Sequence, residues 1–498
     1  MPLLLTRDSL ASLPASVAVP RYDFDTVPIG IVHLGVGAFH RAHQAVYTDD
    51  AIASAGGAWG ICGVSLRSRD VRDRLIPQDG LYTVVEKSRT GITYRVIGSV
   101  REVLFRGDQL EAILARIASP ATRIVSLTVT EKGYCHDPTS GKLNLRHPDI
   151  VHDLREPDDP LSAVGLLVHA FERRRVEGGG PLTVLCCDNL LQNGRLVEGL
   201  IAVFATERNA GLARWIAANV TFPSTMVDRI VPAATDGDLA EVRRALGVLD
   251  LAPVVCEPFM QWVIEGRFAA GRPAWELAGT QFVADVTPFE TMKLRLLNAS
   301  HSAFAYLGFL AGNDTIWQVA AEPDFVALMR RLMDEATPTL VLPAEVDLAA
   351  YKSALIERFA NPALPHRTQQ IAMDGSQKLS QRLLGTIRDN LAAGRPIAFG
   401  ALAVAGWMRY VSGVDEGGRV IEVSDPMADE FARIAESHRG DATQLAGGLL
   451  GLRAIFGDYL PADPRFVGLV TAWLSSLLAD GAARTVARAV RGDQSTSI

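Results

Sequence analysis

The stretch Gly30-Ile-Val-His-Leu-Gly-Val-Gly-Ala-Phe-His-Arg41 decides the fold of the first half of this 498-residue chain. Its apolar first five residues predict a buried strand, glycines 35 and 37 a turn, and residues 42–55 a helix. A strand, a glycine turn and a helix in this order indicate a dinucleotide-binding unit, because glycine lets the backbone approach a pyrophosphate at the start of the helix. The usual third glycine is replaced by His40, so an ordinary strand-to-helix turn remains the alternative.

Strand and helix patterns alternate over the first 286 residues. The sequence predicts further strands at 60–66, 82–86, 94–100, 124–130 and 182–187, and helices at 109–117 and 162–175. Such alternation is typical of a mainly parallel, doubly wound α/β sheet of the Rossmann type. We therefore expect residues 1–286 to form a nucleotide-binding domain.

Helical periodicity dominates from about residue 288 onward, and strand patterns almost vanish. Helices are predicted at 289–311, 323–336, 348–359, 379–393, 427–436 and 466–491. A chain of this length is expected to form two domains. We assign residues 287–498 to a mostly α-helical substrate and catalytic domain.

Composition limits the possible partners. The formal net charge is −7 and both signs are scattered along the chain, which argues against a nucleic-acid or acidic-membrane surface and favours a small-molecule ligand. The five cysteines form no C-x-x-C pair, and no Cys/His spacing typical of a zinc site is present, so a reduced, metal-free protein is expected. There is no signal-peptide pattern, and the longest apolar run spans about a dozen residues against roughly 20 for a membrane helix. We expect a cytoplasmic protein, monomeric or a weak homo-oligomer.

The apolar run 288–310 contains three polar side chains that need an explanation. At about 100° per residue on an α-helix, Asn298 lies roughly 140° and His301 roughly 80° around from Lys293, so all three project into one half of the cylinder. A helix this apolar is normally buried, and burying an amine, an amide and an imidazole costs free energy unless they have partners or a task. The run is therefore a candidate active site, with a packed and hydrogen-bonded set as the alternative.

Short motifs spread along the chain carry a family resemblance. In order along the chain, and together with the Lys293 run, the motifs are His33-Leu-Gly-Val-Gly-Ala-Phe-His-Arg-Ala-His-Gln-Ala-Val-Tyr-Thr-Asp49, Trp59-Gly-Ile-Cys-Gly-Val64, Asp79-Gly-Leu-Tyr-Thr83, Ser126-Leu-Thr-Val-Thr-Glu-Lys-Gly-Tyr134, Cys187-Asp-Asn189, Thr225-Met-Val-Asp-Arg229, Cys256-Glu-Pro-Phe259 and Met373-Asp-Gly-Ser-Gln-Lys378. With these motifs the sequence resembles the polyol-specific long-chain dehydrogenases, the group of mannitol 2-dehydrogenase, arabinitol dehydrogenase and fructuronate reductase.

The resemblance implies catalytic roles for four residues. Lys293 would be the general base, while Asn189, Asn298 and His301 would hold and orient the reacting oxygen. This agrees with the chemistry, since oxidising a secondary alcohol by hydride transfer needs a base for the hydroxyl proton and donors for the developing alkoxide. A lysine serves as base near neutral pH when burial or a neighbouring cation lowers its pKa.

The remaining site residues are also assigned from the resemblance. Asp228 and Lys378 would bind substrate, and Glu290 would relay the proton to solvent. Asp228 could instead form an ion pair with its neighbour Arg229. Mannitol dehydrogenases of one branch carry an arginine eight residues before this lysine, where Gln370 stands here, so Arg367 becomes the candidate for a substrate carboxylate or hydroxyl.

Cofactor contacts are expected from two segments. The glycine turn would contribute Gly35, Gly37, Phe39, His40 and Arg41, although capping and packing are equally good explanations for the last two. Asp70 would contact the adenosine ribose, which favours NAD(H), whereas the neighbouring arginines at 67 and 69 would tolerate the 2′-phosphate of NADP(H).

The sequence thus predicts a zinc-independent, NAD-dependent secondary-alcohol dehydrogenase of polyol and carbohydrate metabolism. The leading reaction is D-mannitol to D-fructose, as in mannitol 2-dehydrogenase. The alternative is D-mannonate to D-fructuronate, as in fructuronate reductase. A more distant alternative is a non-catalytic NAD(H)-binding redox sensor. The sequence leaves open the substrate, the oligomeric state and the physiological direction.

Overall fold

A computed structural model describes residues 3–137, 140–344, 346–438 and 440–492. It divides into two compact units, Met1–Thr287 and Pro288–Ile498. The strands, all in the first unit, are β1 (Val17–Ala18), β2 (Ile29–Leu34), β3 (Gly60–Ser65), β4 (Tyr82–Ser88), β5 (Gly91–Ile97), β6 (Val100–Phe105), β7 (Ile124–Leu127), β8 (Leu182–Cys186), β9 (Val220–Thr221), β10 (Thr225–Asp228), β11 (Val254–Cys256), β12 (Gln261–Glu265) and β13 (Gln281–Val283).

The helices of the first unit fall mostly between strands of its main sheet. They are α1 (Ala38–Ala42), α2 (Gln44–Ala55), α3 (Asp70–Leu75), α4 (Arg106–Ala118), α5 (Pro148–Arg155), α6 (Ala163–Val176), α7 (Asn193–Arg208), α8 (Ala210–Asn219) and α9 (Asp236–Leu246). The helix predicted at 42–55 begins earlier and is broken at His43, whose φ of −127° and ψ of −91° are not helical.

Six parallel strands form the main sheet, in the order β6-β3-β2-β7-β8-β9. Numbered from β2 within the sheet, this is the order 3-2-1-4-5-6 of dinucleotide-binding folds. Apolar residues on both faces form its core, because helices cover a parallel sheet on each side. The predicted fold class is confirmed.

Two smaller sheets were not foreseen as separate. The order of one is β1-β5-β4-β11 and that of the other is β10-β12-β13. The single strand predicted at 94–100 is wrong, because the chain bends at Gly98 and Ser99, so β5 pairs with β4 whereas β6 joins the main sheet. At the bend the Gly98 N–H donates to Asp49 at 3.0 Å, and the Ser99 hydroxyl donates to the Ala45 carbonyl at 2.7 Å.

The second unit is helical over the residues described. Its helices, the first of which begins one residue before the unit, are α10 (Thr287–Met292), α11 (Ala299–Leu310), α12 (Ile316–Ala321), α13 (Pro323–Ala336), α14 (Leu348–Phe359), α15 (Thr368–Ala372), α16 (Gly375–Leu379), α17 (Gly385–Ala392), α18 (Ala398–Val411), α19 (Ala428–Ser437), α20 (Ala442–Leu450), α21 (Arg453–Phe456), α22 (Tyr459–Ala462), α23 (Pro464–Asp480) and α24 (Ala482–Arg491).

Three predicted helices of this unit are interrupted. Gly481, with a φ of +80°, separates α23 from α24. The other two contain π-helical turns, Lys293–Asn298 between α10 and α11, and Ser380–Leu384 between α16 and α17. A π-helical turn leaves the apolar residues on either side of it buried. Hydropathy periodicity therefore does not reveal where the turn lies. No helix among the residues described is long and apolar enough to cross a membrane.

Candidate active site

The glycine turn lies where the strand order of the main sheet reverses, between β2 and β7. Gly35 has a φ of +96°, and a Cβ there would lie 2.1 Å from the Thr128 carbonyl oxygen, so the fold itself requires this glycine. Gly37 is exposed, and a Cβ there would meet nothing closer than 3.9 Å. Ligands of such sheets bind outside the carboxyl ends of the strands at this reversal. Gly37 therefore leaves open backbone where a dinucleotide would approach.

Two histidines support this turn from within the core. His33 lies on β2, and its ring nitrogens contact the hydroxyl groups of Ser126 at 2.8 Å and Thr128 at 2.8 Å. His40, which stands in the place of the third glycine, stacks on the His33 ring with centroids 3.4 Å apart. Burial lowers the pKa of His33 to about 3 and that of His40 well below its ordinary value. A neutral, hydrogen-bonded imidazole explains His33 without a cofactor contact, whereas both ring nitrogens of His40 lack a hydrogen-bond partner among the described residues.

Phe39 and Arg41 also make contacts within the protein. The half-buried Phe39 ring stacks on His43 with centroids 5.0 Å apart. The buried Arg41 guanidinium donates to the Ala252 carbonyl at 2.5 Å and lies over the Tyr82 ring at 5.3 Å. The structure thus assigns Arg41 a packing contact with a distant segment of the same unit.

Asp70 lies five residues beyond the end of β3, the second strand of the main sheet. β3 ends at Ser65, and Asp70 is the exposed first residue of α3, with its N–H donating to Ser68 at 3.0 Å. Arg67 and Arg69 are exposed on the connecting loop, and Arg69 lies 5.9 Å from the Phe105 ring centroid. The structure therefore exposes the carboxylate together with both arginines beside the carboxyl end of β3.

Asp188, which the sequence did not single out, organises the loops after β7 and β8. Its carboxylate accepts the N–H groups of Val129 at 2.9 Å and Thr130 at 3.0 Å, and the hydroxyl of Tyr134 at 2.6 Å. Thr130 has a φ of +66°, a strained conformation for a β-branched residue. The next residue, Asn189, is exposed at the carboxyl edge of the sheet. Strain held by a buried carboxylate is typical of functional loops.

Asn193 connects this edge to Asp228. From the start of α7, its side chain donates to the carbonyls of Asp188 at 3.0 Å and Thr225 at 2.9 Å and accepts the Thr225 N–H at 2.9 Å. Asp228 ends β10 and is buried at 5% exposure. The neighbouring Arg229 guanidinium pairs with Glu86 at 2.5 Å, so Arg229 has an acidic partner besides its sequence neighbour.

The Lys293 segment of the second unit differs from the α-helix assumed above. Residues Lys293–Asn298 form a π-helical turn, so the N–H of Ala299 donates to the Leu294 carbonyl five residues earlier. In the wider π-helical turn, the angle around the helix axis between side chains five positions apart is smaller than in an α-helix. Lys293 and Asn298 therefore lie nearer to one line along the helix than predicted. Single π-helical turns occur frequently at functional sites.

Four polar side chains in and beside this segment are buried. Glu290 is 5%, Lys293 8%, Asn298 8% and His301 7% exposed. Among the residues that the structure describes, none is a hydrogen-bond partner of Asn298 Oδ1 or His301 Nε2. Because buried polar atoms are normally paired, two unpaired atoms three residues apart indicate a place for a polar ligand. The predicted polar set is thus buried, and two of its members have unused hydrogen-bonding capacity.

Aromatic rings and cations surround His301. Its ring stacks on Phe359 with centroids 4.9 Å apart and meets His366 edge-on at 5.0 Å. Burial, followed by the charges of His366, Arg382, Arg358 and Lys378, holds the pKa of His301 well below its ordinary value. His301 is therefore neutral near pH 7 and can act as a hydrogen-bonding group.

The two predicted cations of the substrate loop, Lys378 and Arg367, differ in burial and position. Lys378 is half-buried on α16, and its amine donates to the Met373 carbonyl at 2.5 Å. Arg367 is exposed and precedes α15, and the neighbouring Gln370 is exposed as well. Arg382, which the sequence did not identify, lies on the second π-helical turn and donates to the Ser302 hydroxyl at 3.0 Å. Only its place one turn after Lys378 could have indicated it.

Folding brings together three potential metal ligands that the sequence did not identify. Ligand atoms of Cys135, His147 and Asp149 lie within 4.8 Å of one another. Their spacing along the chain is unlike that of common zinc motifs, so only the structure identifies the cluster.

The strand order, the open glycine turn and the buried amine, amide and imidazole together define an oxidoreductase of the nucleotide-dependent dehydrogenase class. Comparison with known families agrees. The chain belongs to the mannitol dehydrogenase family, because residues 29–277 match the mannitol dehydrogenase Rossmann domain and residues 285–478 match the mannitol dehydrogenase C-terminal domain. The family resemblance stated from the motifs is confirmed.

Relatives of different specificity match nearly the whole chain. D-mannonate oxidoreductase of Escherichia coli is 50% identical over 95% of this chain and 98% of its own. Mannitol 2-dehydrogenase of Pyricularia oryzae is 41% identical over 96% and 97%. The structure of Pseudomonas fluorescens mannitol 2-dehydrogenase in a ternary complex with NAD and D-mannitol has a TM-score of 0.88 and 41% identity, covering 98% of this chain and 100% of the other.

Proposed function

We propose that this protein interconverts a secondary alcohol and a ketone of a polyol or sugar acid, using NAD(H). The observation that carries the proposal is the pair of buried, unpaired atoms, Asn298 Oδ1 and His301 Nε2, on the segment that also buries Lys293. One hydroxyl of such a substrate can donate to Asn298 Oδ1, and the reacting oxygen can accept from His301 once that ring carries its proton on Nε2. Bound NAD would supply the hydride acceptor, and the open backbone at Gly37 fits its pyrophosphate.

In the oxidative direction, Lys293 takes the proton from the substrate hydroxyl. Lys293 is 8% exposed, and a base must be neutral when it accepts the proton. The amide groups of Asn298 and Asn189 and the neutral His301 donate to the oxygen as it gains alkoxide character. Glu290 lies one helical turn before Lys293 and passes the proton onward. The amine supplies the base, so the proposed chemistry uses no catalytic zinc.

Replacing the proposed base tests this mechanism. Lys293→Ala should lower kcat for alcohol oxidation by about 10²–10⁴-fold, because general-base catalysis contributes on that scale. The pH dependence assigned to the base should disappear with it. Lys352→Ala is the matched control, since this lysine of the same unit forms a surface ion pair with Asp334. Near-native turnover by Lys293→Ala, measured across the pH range, would remove the lysine from this role.

For the substrate, we favour the sugar-acid pair D-mannonate and D-fructuronate. Arg358, Lys378 and Arg382 all act electrostatically on His301, and a carboxylate near that ring would be attracted by them. The D-mannonate oxidoreductase relative is also more similar to this chain than the mannitol 2-dehydrogenase compared with it, at 50% against 41% identity. The exposed Arg367 becomes a weaker candidate for the carboxylate than Arg382.

The second candidate is the mannitol and fructose pair. It is favoured by the TM-score of 0.88 to the complex that contains NAD and D-mannitol. A side-by-side assay of NADH oxidation with D-fructuronate and D-fructose separates the two. Arg382→Met should impair the acid more than the neutral ketose if the arginine binds a carboxylate, and equal losses would contradict that role.

NAD(H) is the proposed cofactor over NADP(H). The exposed Asp70 carboxylate at the start of α3 can accept both ribose hydroxyls and would repel a 2′-phosphate. Arg67 and Arg69 oppose this preference, so we expect measurable but weaker use of NADPH. Asp70→Asn should lower the ratio of kcat/KM with NADH to kcat/KM with NADPH. An unchanged ratio would show that residues other than Asp70 discriminate between NADH and NADPH.

A further inference from the structure

A buried thiol, an imidazole and a carboxylate converge in the first unit, away from the groups assigned to hydride transfer. One potential ligand atom from each of Cys135, His147 and Asp149 lies within 4.8 Å of the other two. Cys135 is 4% exposed, and the other two residues are half-buried. Ligand atoms around a single Zn²⁺ ion, each about 2.0–2.3 Å from the metal, necessarily lie within such distances of one another.

Local backbone structure holds the three residues together. After β7 a 3₁₀ turn ends at Tyr134, and Cys135 adopts a left-handed conformation with a φ of +52°. The Asn144 N–H donates to the Cys135 carbonyl at 3.0 Å, and the His147 N–H donates to the Asn144 carbonyl at 2.9 Å. The cluster thus depends on a closed loop whose two ends are hydrogen-bonded, with α5 beginning immediately after His147.

The thiol and the carboxylate make few other interactions. Within the described part of the chain, no hydrogen bond or ion pair reaches Cys135 Sγ or the Asp149 carboxylate. His147 Nδ1 accepts the Asp149 N–H at 3.2 Å, which is long for such a bond. A metal would replace this contact if it bound Nδ1, or require Nδ1 to become protonated if it bound Nε2.

We propose that Cys135, His147 and Asp149 bind one Zn²⁺ ion. Thiolate, imidazole and carboxylate are the donors that Zn²⁺ takes in proteins, whereas Mg²⁺ and Ca²⁺ prefer oxygen donors alone. Three protein ligands leave the fourth tetrahedral position to a water molecule. Binding deprotonates the Cys135 thiol and releases that proton to solvent, so the affinity rises with pH.

The site is connected to the proposed cofactor edge through Tyr134. This residue precedes Cys135 and donates its hydroxyl to Asp188, the carboxylate that holds the strained Thr130. Occupancy of the metal site would therefore restrain the loop after β7, which Asp188 also holds. The site itself does not depend on the proposed reaction.

Cobalt titration of the full-length protein, freed of metal by chelation, tests the proposal. Co²⁺ should bind one ion per chain and give the thiolate-to-cobalt absorption band, and Zn²⁺ should displace it. Cys135→Ser should abolish the band. Because that buried substitution could impair folding, Asp149→Asn provides a second variant, expected to weaken Co²⁺ binding by about 10- to 100-fold while remaining folded.

Two controls make the outcome decisive. Asp158→Asn alters a nearby carboxylate that is 96% exposed and should leave Co²⁺ affinity unchanged. Lys293→Ala should bind Co²⁺ like the parent protein, so the metal site can stand even if the proposed catalytic role fails. The absence of one-to-one binding, a thiolate band that persists in Cys135→Ser, or equal affinity of folded Asp149→Asn and the parent would each overturn the proposal.

Discussion

His33 in the first unit and His301 in the second are both buried, and burial lowers the pKa of each. They differ in their hydrogen bonds. Both ring nitrogens of His33 contact protein groups, namely Ser126, Thr128 and the Gly35 carbonyl, whereas His301 Nε2 has no partner. Burial and a shifted pKa therefore do not distinguish a structural histidine from a functional one. The distinction lies in whether the fold already uses the hydrogen-bonding capacity of the ring.

The same substitution at the two histidines should have opposite consequences, and the largest effect is expected at His301. His301→Phe keeps an aromatic ring against Phe359 but removes the unpaired Nε2. We expect kcat to fall by about 10²–10³-fold, as for loss of one donor to a developing oxyanion. Thermal unfolding should change little, because no protein hydrogen bond through Nε2 is lost. A stable variant with native turnover would contradict the functional assignment.

Substitutions in the glycine turn that follows His33 are expected to have the next largest effect. Gly35→Ala should destabilise the fold by about 1–3 kcal/mol from backbone strain alone, with more from the overlap with the Thr128 carbonyl. Gly37→Ala is the matched comparison, because its Cβ has open space in the protein. It should retain the native melting temperature and weaken NADH binding. Chemical denaturation and NADH titration of both variants measure the contrast, which equal stabilities would contradict.

His33→Phe should cost stability and leave the chemistry intact. It removes the imidazole contacts of Ser126 and Thr128, whose hydroxyls keep their bonds to Gln44 and to the Gly35 carbonyl. The expected cost is therefore that of the lost hydrogen bonds, about 0.5–1.5 kcal/mol each. The kcat of the folded variant should fall far less than that of His301→Phe. A comparable loss of kcat without a loss of stability would remove the distinction between the two histidines.

The smallest effect concerns acid stability. In the folded state the pKa of His301 lies well below its ordinary value of 6.5, so below pH 6.5 the unfolded chain binds a proton that the folded protein excludes. This difference lowers the free energy of unfolding as the pH falls. His301→Phe removes it, so the variant should lose less stability than the parent between pH 7 and 5. Urea unfolding at several pH values measures how steeply the free energy of unfolding depends on pH in the variant and in the parent.

Sequence reasoning succeeded where a pattern is local. Alternating apolar runs and turns predicted the strands β2, β3, β7 and β8, and helical periodicity gave the exact bounds of α13 and α14. It failed where pairing partners lie far apart. The bend at Gly98 sends β5 and β6 to different sheets, and only the contacts of Gly98 and Ser99 with α2 explain that division.

The candidate site shows the same limit. Motifs indicated Lys293, Asn298 and His301, but periodicity assumed an α-helix where the chain forms a π-helical turn. Asp188, Asn193 and Arg382 were missed, because each acts by holding residues that are distant in sequence. The cofactor roles that the family resemblance suggested for His40 and Arg41 stay predictions, and the structure adds stacking of His40 on His33 and a bond from Arg41 to the Ala252 carbonyl.

The sequence by itself determined the class of fold, the family and the residue types available for hydride-transfer chemistry, because these depend on short motifs and local periodicity. Only the tertiary structure decided which buried polar atoms are already paired, as in His33, and which remain unpaired, as in His301 and Asn298. It also brought Cys135, His147 and Asp149 together. Both outcomes depend on contacts that close only when the chain folds, since hydrogen-bond saturation and ligand geometry are properties of three-dimensional packing.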